Sequence, residues 1–199
     1  HFPYYLSETD FAAIGFVSTF YIIVAAIGFG FSRGGQILIA RRAGQQRDKD
    51  VGRTFYSVLY FELLLALLLF VFMHFGAYYL FSALVDDQEI LSRSIDYLET
   101  RKFGVFASYW GVTLIALYTG LARPAFIVVD TIILALVNIV LDKALIFGYW
   151  GFPALGIAGA GLASTIAEYV ALGVSCFTWS LTATFAVIKF GKFLAGTAP

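Results

Sequence analysis

Charged residues are scarce in this chain of 199 residues. Asp, Glu, Lys and Arg make up 13% of it, against roughly 25% in a typical soluble domain. Apolar residues make up 60%, and the mean hydropathy is +0.85. The apolar content excludes a disordered chain, and the shortage of charge argues against an ordinary soluble enzyme. The class that remains is an integral membrane protein.

Several other features are missing as well. The single cysteine, Cys176, cannot form an internal disulfide. Thirteen basic residues balance thirteen acidic ones, so the net charge indicates no polyanionic partner, and we expect no nucleic acid. The patterns His-Glu-x-x-His, Gly-x-Ser-x-Gly, Cys-x-x-Cys and the P-loop are all absent. We therefore expect no enzyme activity, no cofactor and no protein-bound metal cluster.

Long apolar segments dominate what is present. A helix needs about 20 mostly apolar residues to cross a bilayer, and five segments meet this need, near 11–40, 54–85, 103–122, 125–147 and 155–188. They predict an all-α, polytopic bundle of about five transmembrane helices at 11–188, with the lipid bilayer as its main partner. Residues 1–10 and 189–199 would then form short terminal segments.

The distribution of Lys and Arg predicts the orientation of the bundle. Nine of the thirteen lie on one side, six of them in the first loop between Arg33 and Arg53. Basic loops are retained in the cytoplasm, so we expect an external N-terminal segment and a cytoplasmic C-terminal tail. An external start at His1 without a leader predicts a further helix upstream.

Polar residues inside the spans are the candidate functional residues, because acids at membrane depth are costly. Asn138 and Asp142 are four residues apart, so both lie on one helix face. Together they could hold Na⁺, or Asp142 could carry a proton; the alternative is an interfacial Asp142 paired with Lys143. Asp130 lies on a similar face and either lines the same cavity or sits near the inner interface.

The other polar residues divide between cavity and packing roles. Glu168 is a candidate cavity-lining residue, whereas Glu62 is expected near the interface. Ser164 or Thr165 could face a cavity. Small residues at four-residue spacing predict a packing face on the last span, namely Gly159, Ala163, Ala167, Ala171 and Ser175. Gly30 and Gly34 predict the same for the first span.

A family resemblance appears in the fourth and fifth spans. The motif Val-Asn-Ile-Val-Leu-Asp at 137–142 and the run Gly-Phe-Pro-Ala-Leu-Gly-Ile-Ala-Gly-Ala-Gly at 151–161 resemble the multidrug and toxic compound extrusion (MATE) family. Weaker similarity covers 12–15 and 36–44. The resemblance implies helices two to six of the N-terminal lobe of a DinF-like member.

The resemblance also implies a function. Such proteins are secondary transporters that exchange Na⁺ or H⁺ for organic, often cationic, compounds, and so export xenobiotics across the cell (inner) membrane. Asn138 and Asp142 match the family's cation-coupling pair on the fifth helix, and Thr165 is the match for a threonine on the sixth. The first helix with its Asp, and the whole second lobe, have no counterpart here.

Three hypotheses follow. The chain is part of one lobe of a cation-coupled exporter, completed by a second lobe or by self-association. Alternatively, it is a non-transporting membrane fragment or remnant. The third is a lipid-linked sugar flippase of related architecture, but such proteins often carry a basic cavity, and these spans contain almost no internal Lys or Arg.

Overall fold

In the computed structural model, the chain forms an all-α bundle. The structure describes residues 6–195, with side chains for residues 6–180, and the ends of both predicted terminal segments lie outside this range. Seven α-helices and a short 3₁₀ turn at Tyr149–Gly151 make up the described part, and it contains no strand. The helices are α1 (Glu8–Gly44), α2 (Asp48–Phe75), α3 (Ala77–Leu84), α4 (Gln88–Arg101), α5 (Gly104–Gly120), α6 (Ala125–Phe147) and α7 (Ile157–Ala195).

Four of these helices are long and apolar enough to cross a membrane: α1, α2, α6, and α7 over Ile157–Ser180. Helices α4 and α5 meet at a bend of 56° and would together make a fifth span. The predicted all-α polytopic bundle of about five spans is therefore confirmed. Large apolar side chains such as Ile22, Leu68 and Ile139 are exposed on its surface, as expected where lipid covers a protein.

Local signals in the sequence fix the helix ends. Ser7 and Asp10 form a capping box at the start of α1, because the Asp10 amide donates to Ser7 Oγ at 3.1 Å and the Ser7 amide donates to Asp10 Oδ2 at 3.0 Å. Asp87 caps α4, where its side chain accepts hydrogen bonds from the amides of Glu89 and Ile90. Gly148 ends α6 in the left-handed region at φ +72°, where glycine is favoured.

The structure differs from the predicted spans at two places. The second segment is broken at Gly76 into α2 and α3, so it is not one continuous helix. Helix α4 precedes the third segment and was not predicted, because a search for uncharged runs passes over a helix with so many charged residues. The break between α4 and α5 lies immediately before Gly104.

Helices α1, α2, α4, α5 and α7 pack around a common core, and α6 packs mainly on α7.

The interfacial placement expected for Glu62 is wrong. Helix α2 begins at Asp48, so Glu62 lies at its middle, and its side chain is 0% exposed. The packing face predicted for α1 at Gly30 and Gly34 also lies elsewhere on the helix. Gly28 and Gly35 are buried against other helices, whereas nothing approaches Gly30 or Gly34.

Candidate functional site

Asn138 and Asp142 meet a hydroxyl of α7. With the Asn138 amide oriented to satisfy both of its ends, its nitrogen donates to Asp142 Oδ2 at 3.1 Å and its oxygen accepts from Ser164 Oγ at 3.1 Å. Both α6 residues are half-buried. A carboxylate, an amide and a hydroxyl are hard oxygen donors of the kind that alkali and alkaline-earth cations prefer. The arrangement can hold a small cation, or Asp142 can hold a proton.

Thr165 lies on a different face of α7. Its hydroxyl donates to the backbone oxygen of Thr100 at 3.0 Å and approaches that of Arg101 at 3.5 Å, and the side chain is buried. The structure therefore brings Ser164, rather than its neighbour, to the Asn138–Asp142 pair. Thr165 instead ties α7 to the end of α4.

Glu168 lies about one helical turn after Thr165 on α7 and forms an ion pair with Arg101. Arg101 Nη2 and Glu168 Oε1 are 2.5 Å apart, and the guanidinium stacks on the Tyr21 ring at 3.9 Å from its centre. The other ends of the pair, Arg101 Nη1 and Glu168 Oε2, are buried and have no hydrogen-bond partner in the described part of the chain. Gly104 makes room for them, since a Cβ there would lie 2.3 Å from Arg101 Nη1 and 2.5 Å from Glu168 Oε2.

Asp130 lies nearer the start of α6, about two turns before Asn138, and Ser175 Oγ donates to its Oδ1 at 2.7 Å. Asp130, Glu168 and Ser164 all line one cavity of about 450 Å³ between α1, α5, α6 and α7, together with aromatic side chains such as Tyr21 and Tyr109. Among the described residues, the charged ones that line it are Arg101, Glu168 and Asp130. Because Arg101 and Glu168 neutralise each other, Asp130 leaves the cavity with an excess negative charge when it is ionised.

Arg101 was not among the residues predicted to be functional, because it precedes the span predicted at 103–122. A usable signal was present, since Leu91, Ser94, Leu98 and Arg101 recur at helical spacing within 88–101 and the first three are buried. Among the described residues, no group of three or more His, Cys, Asp or Glu could hold a metal ion. Any cation here would therefore depend on neutral oxygen ligands as well as a carboxylate.

Sequence comparisons identify relatives of this chain. The family model described as MatE matches residues 2–143. A probable multidrug resistance protein NorM of Synechocystis sp. is 30% identical over 168 residues, which cover 83% of this chain and 36% of that relative. The NorM proteins of Rhizobium meliloti and Listeria monocytogenes are 28% and 26% identical, over 89% and 96% of this chain. The chain spans little more than a third of the length of these relatives, and 42% of the Listeria protein.

Solved structures show the same fold. An outward-facing multidrug resistance MATE family transporter of the MOP superfamily superposes with a TM-score of 0.79 at 20% identity, covering 86% of this chain and 37% of that one. An inward-facing MATE structure gives 0.78 at 20% identity, covering 85% and 38%. The described helices thus correspond to a part of one such protein.

Proposed function

This chain belongs to the MatE family of transporters, and from that membership we propose that it forms most of one lobe of a cation-coupled exporter of organic compounds. It is a multi-pass membrane protein and not an enzyme. The coupling ion, Na⁺ or H⁺, would bind at Asp142, with Asn138 and Ser164 as neutral partners. Thr165 remains a candidate ligand only if α7 turns so that its hydroxyl leaves α4.

The observation that carries this proposal is the convergence of Asn138, Asp142 and Ser164 beside the cavity. Ser164 belongs to both, because its hydroxyl contacts Asn138 and its side chain lines the cavity wall. A change of charge at Asp142 can therefore reach the cavity through one hydrogen-bonded chain. Such adjacency is what allows ion binding and substrate binding to influence each other.

The charges of the cavity favour a cationic organic substrate. Arg101 is neutralised by Glu168 at 2.5 Å, and Asp130 has no basic partner among the described residues. The flippase alternative predicts a basic cavity for an anionic lipid-linked sugar, and this lining does not provide one. Aromatic walls such as Tyr21 and Tyr109 suit a flat, apolar cation.

Two lobes are needed for alternating access around a shared cavity. We propose that a second lobe, supplied by the rest of the polypeptide or by another subunit, completes the transporter in the bacterial inner membrane, with the N-terminal segment outside. Intact mass spectrometry of the natural gene product tests this first. A mass more than twice 21.9 kDa supports a two-lobe polypeptide, and a mass near 21.9 kDa supports self-association or the non-transporting alternative.

The decisive experiment is transport with Asp142→Asn. The natural gene product, reconstituted in liposomes, is given a Na⁺ or H⁺ gradient, and movement of the fluorescent organic cation ethidium is followed. We expect the variant to lose gradient-driven transport, because an amide cannot take up a proton or balance a cation. Asp86→Asn removes an exposed carboxylate of the α3–α4 loop and should transport normally. Wild-type exchange by Asp142→Asn would refute the assignment of the coupling site.

A further inference from the structure

Glu62 is a fully buried carboxyl group at the middle of α2. It shares a buried helix face with Leu59 and Ala66, one turn to either side, and its side chain is 0% exposed. Neither of its oxygens has a hydrogen-bond partner in the described part of the chain, and no basic side chain there forms an ion pair with it. It does not line the cavity beside Asn138 and Asp142.

The helices packed around Glu62 supply no compensating charge. Helix α5 contains no charged residue, α1 has none from Phe11 to Ser32, and α2 has only Glu62 between Arg53 and His74. The titratable group facing it is Tyr109 of α5, which interacts with it electrostatically. That phenol is already committed, because it donates to the backbone oxygen of Val24 at 2.5 Å.

The remaining tyrosines of these three helices make no hydrogen bond to Glu62. Tyr21 of α1 stacks under Arg101, and Tyr118 of α5 donates to the backbone oxygen of Ser175 at 3.0 Å. Tyr56 and Tyr60 of α2 are exposed on its opposite face. Among the described residues, Glu62 therefore has neither an ion-pair partner nor a hydroxyl that hydrogen-bonds to it.

We propose that Glu62 is a second proton-binding site, separate from the Asn138–Asp142 site. An ionised carboxylate in this position would bear the full cost of desolvation with nothing to offset it. A proton taken from water converts it to a neutral carboxylic acid, and no other reactant is needed. The proton is retained while α1, α2 and α5 stay packed, because that packing keeps water and cations away from the carboxyl group.

The binding of this proton does not depend on the proposed transport mechanism. Asp142 and Glu62 lie on different helices, and only Asp142 contacts Asn138, which in turn contacts the cavity-lining Ser164. Loss of coupling at Asp142 would leave Glu62 protonated, and an ionised Glu62 would leave the Asp142 site intact. The two proposals can therefore fail separately.

Infrared spectroscopy of the lipid-reconstituted protein at pH 7 tests the proposal, because exposed carboxyl groups are ionised at that pH. We expect Glu62→Gln to remove one carboxylic-acid C=O band and to leave the carboxylate bands unchanged. Glu89→Gln removes an exposed carboxylate at the start of α4. It should lower the carboxylate intensity and leave the carboxylic-acid band unchanged. Loss of carboxylate intensity in Glu62→Gln would show that Glu62 is ionised and would overturn the proposal.

A second variant covers the case in which Glu62→Gln does not fold. Glu62→Asp retains an acid in the same helix position with a shorter side chain. We expect its carboxylic-acid band to persist at a shifted frequency, because the acid remains buried but contacts different neighbours. An acid region identical to that of the wild type would mean that the band belongs to another residue, and the proposal would fail.

Discussion

Ser164 and Thr165 are adjacent in the sequence, but their hydroxyl groups serve different helices. Ser164 contacts Asn138 of α6, and Thr165 donates to the backbone oxygen of Thr100 in α4. Consecutive residues of a helix are about 100° apart, so a single helix cannot present both to the same partner. The two variants should therefore separate ion binding from packing.

Ser164→Ala is expected to weaken binding of the coupling ion by about tenfold, since a hydrogen bond or ligand contact to a charged group contributes roughly 1.5–3 kcal/mol. Thr165→Val should leave ion binding unchanged and lower stability by about 1 kcal/mol through the lost bond to Thr100. Ion-dependent shifts of the thermal unfolding midpoint measure both effects, in a Na⁺ titration at constant ionic strength and in a pH titration. Weaker ion binding in Thr165→Val, with unchanged ion binding in Ser164→Ala, would assign the ion ligand to Thr165.

The choice between these two hydroxyls illustrates what the sequence could not provide. The spacing of Asn138 and Asp142 predicts their shared face, because both belong to one helix. Which residue of α7 meets that face depends on how two helices pack, and no local pattern encodes it. The same limit applies to Glu168 and Asp130: their placement on the spans was predictable, but Arg101 as the ion-pair partner of Glu168 was not.

At the scale of elements, glycines set how closely α7 approaches its neighbours. A Cβ on Gly159 would lie 2.5 Å from the backbone oxygen of Leu145 in α6, whereas nothing lies within 4 Å of the corresponding point on Gly173. Gly159 is one end of the predicted small-residue face, and Ala163 and Ala167 on the same face are 0% exposed. A backbone atom cannot move aside as a flexible side chain can.

Gly159→Ala should therefore lower the free energy of unfolding by about 1–3 kcal/mol, as overpacking does. Gly173→Ala is the matched control in the same helix, and it should be neutral or stabilise the protein by about 0.5–1 kcal/mol through better helix propensity. Equilibrium unfolding in mixed micelles compares the two. Equal effects would mean that α6 and α7 do not pack at Gly159.

Element types were predictable from the sequence where hydropathy is uniform, and less so elsewhere. The apolar segments of α1, α2, α5, α6 and α7 are evident as long runs. Helix α4 is amphipathic and charged, and the spacing of Leu91, Ser94 and Leu98 marks its buried face but does not say that this face meets α1 and α7. The displacement of the α1 contact from Gly30 and Gly34 to Gly28 and Gly35 has the same origin, because a stripe of small residues does not say which neighbour it meets.

At the scale of the whole molecule, the chain superposes equally well on two states of its structural relatives. The TM-score is 0.79 for an outward-facing MATE structure and 0.78 for an inward-facing one. The fold of this part is therefore common to both structures. In the two-lobe transporter proposed above, alternating access would move this bundle largely as a rigid body against the second lobe.

Distances within the bundle should therefore stay constant during transport. Spin labels at Tyr79→Cys on α3 and Phe177→Cys on α7, both exposed positions, can be placed in a Cys176→Ser background. Electron paramagnetic resonance of the reconstituted natural gene product should give the same distance distribution with and without the coupling ion. A pair that spans the two lobes should change under the same conditions, because the lobes rock about their shared cavity. A shift within the bundle as large as the shift between lobes would show that these helices rearrange individually, and it would also allow Thr165 to reach Asp142.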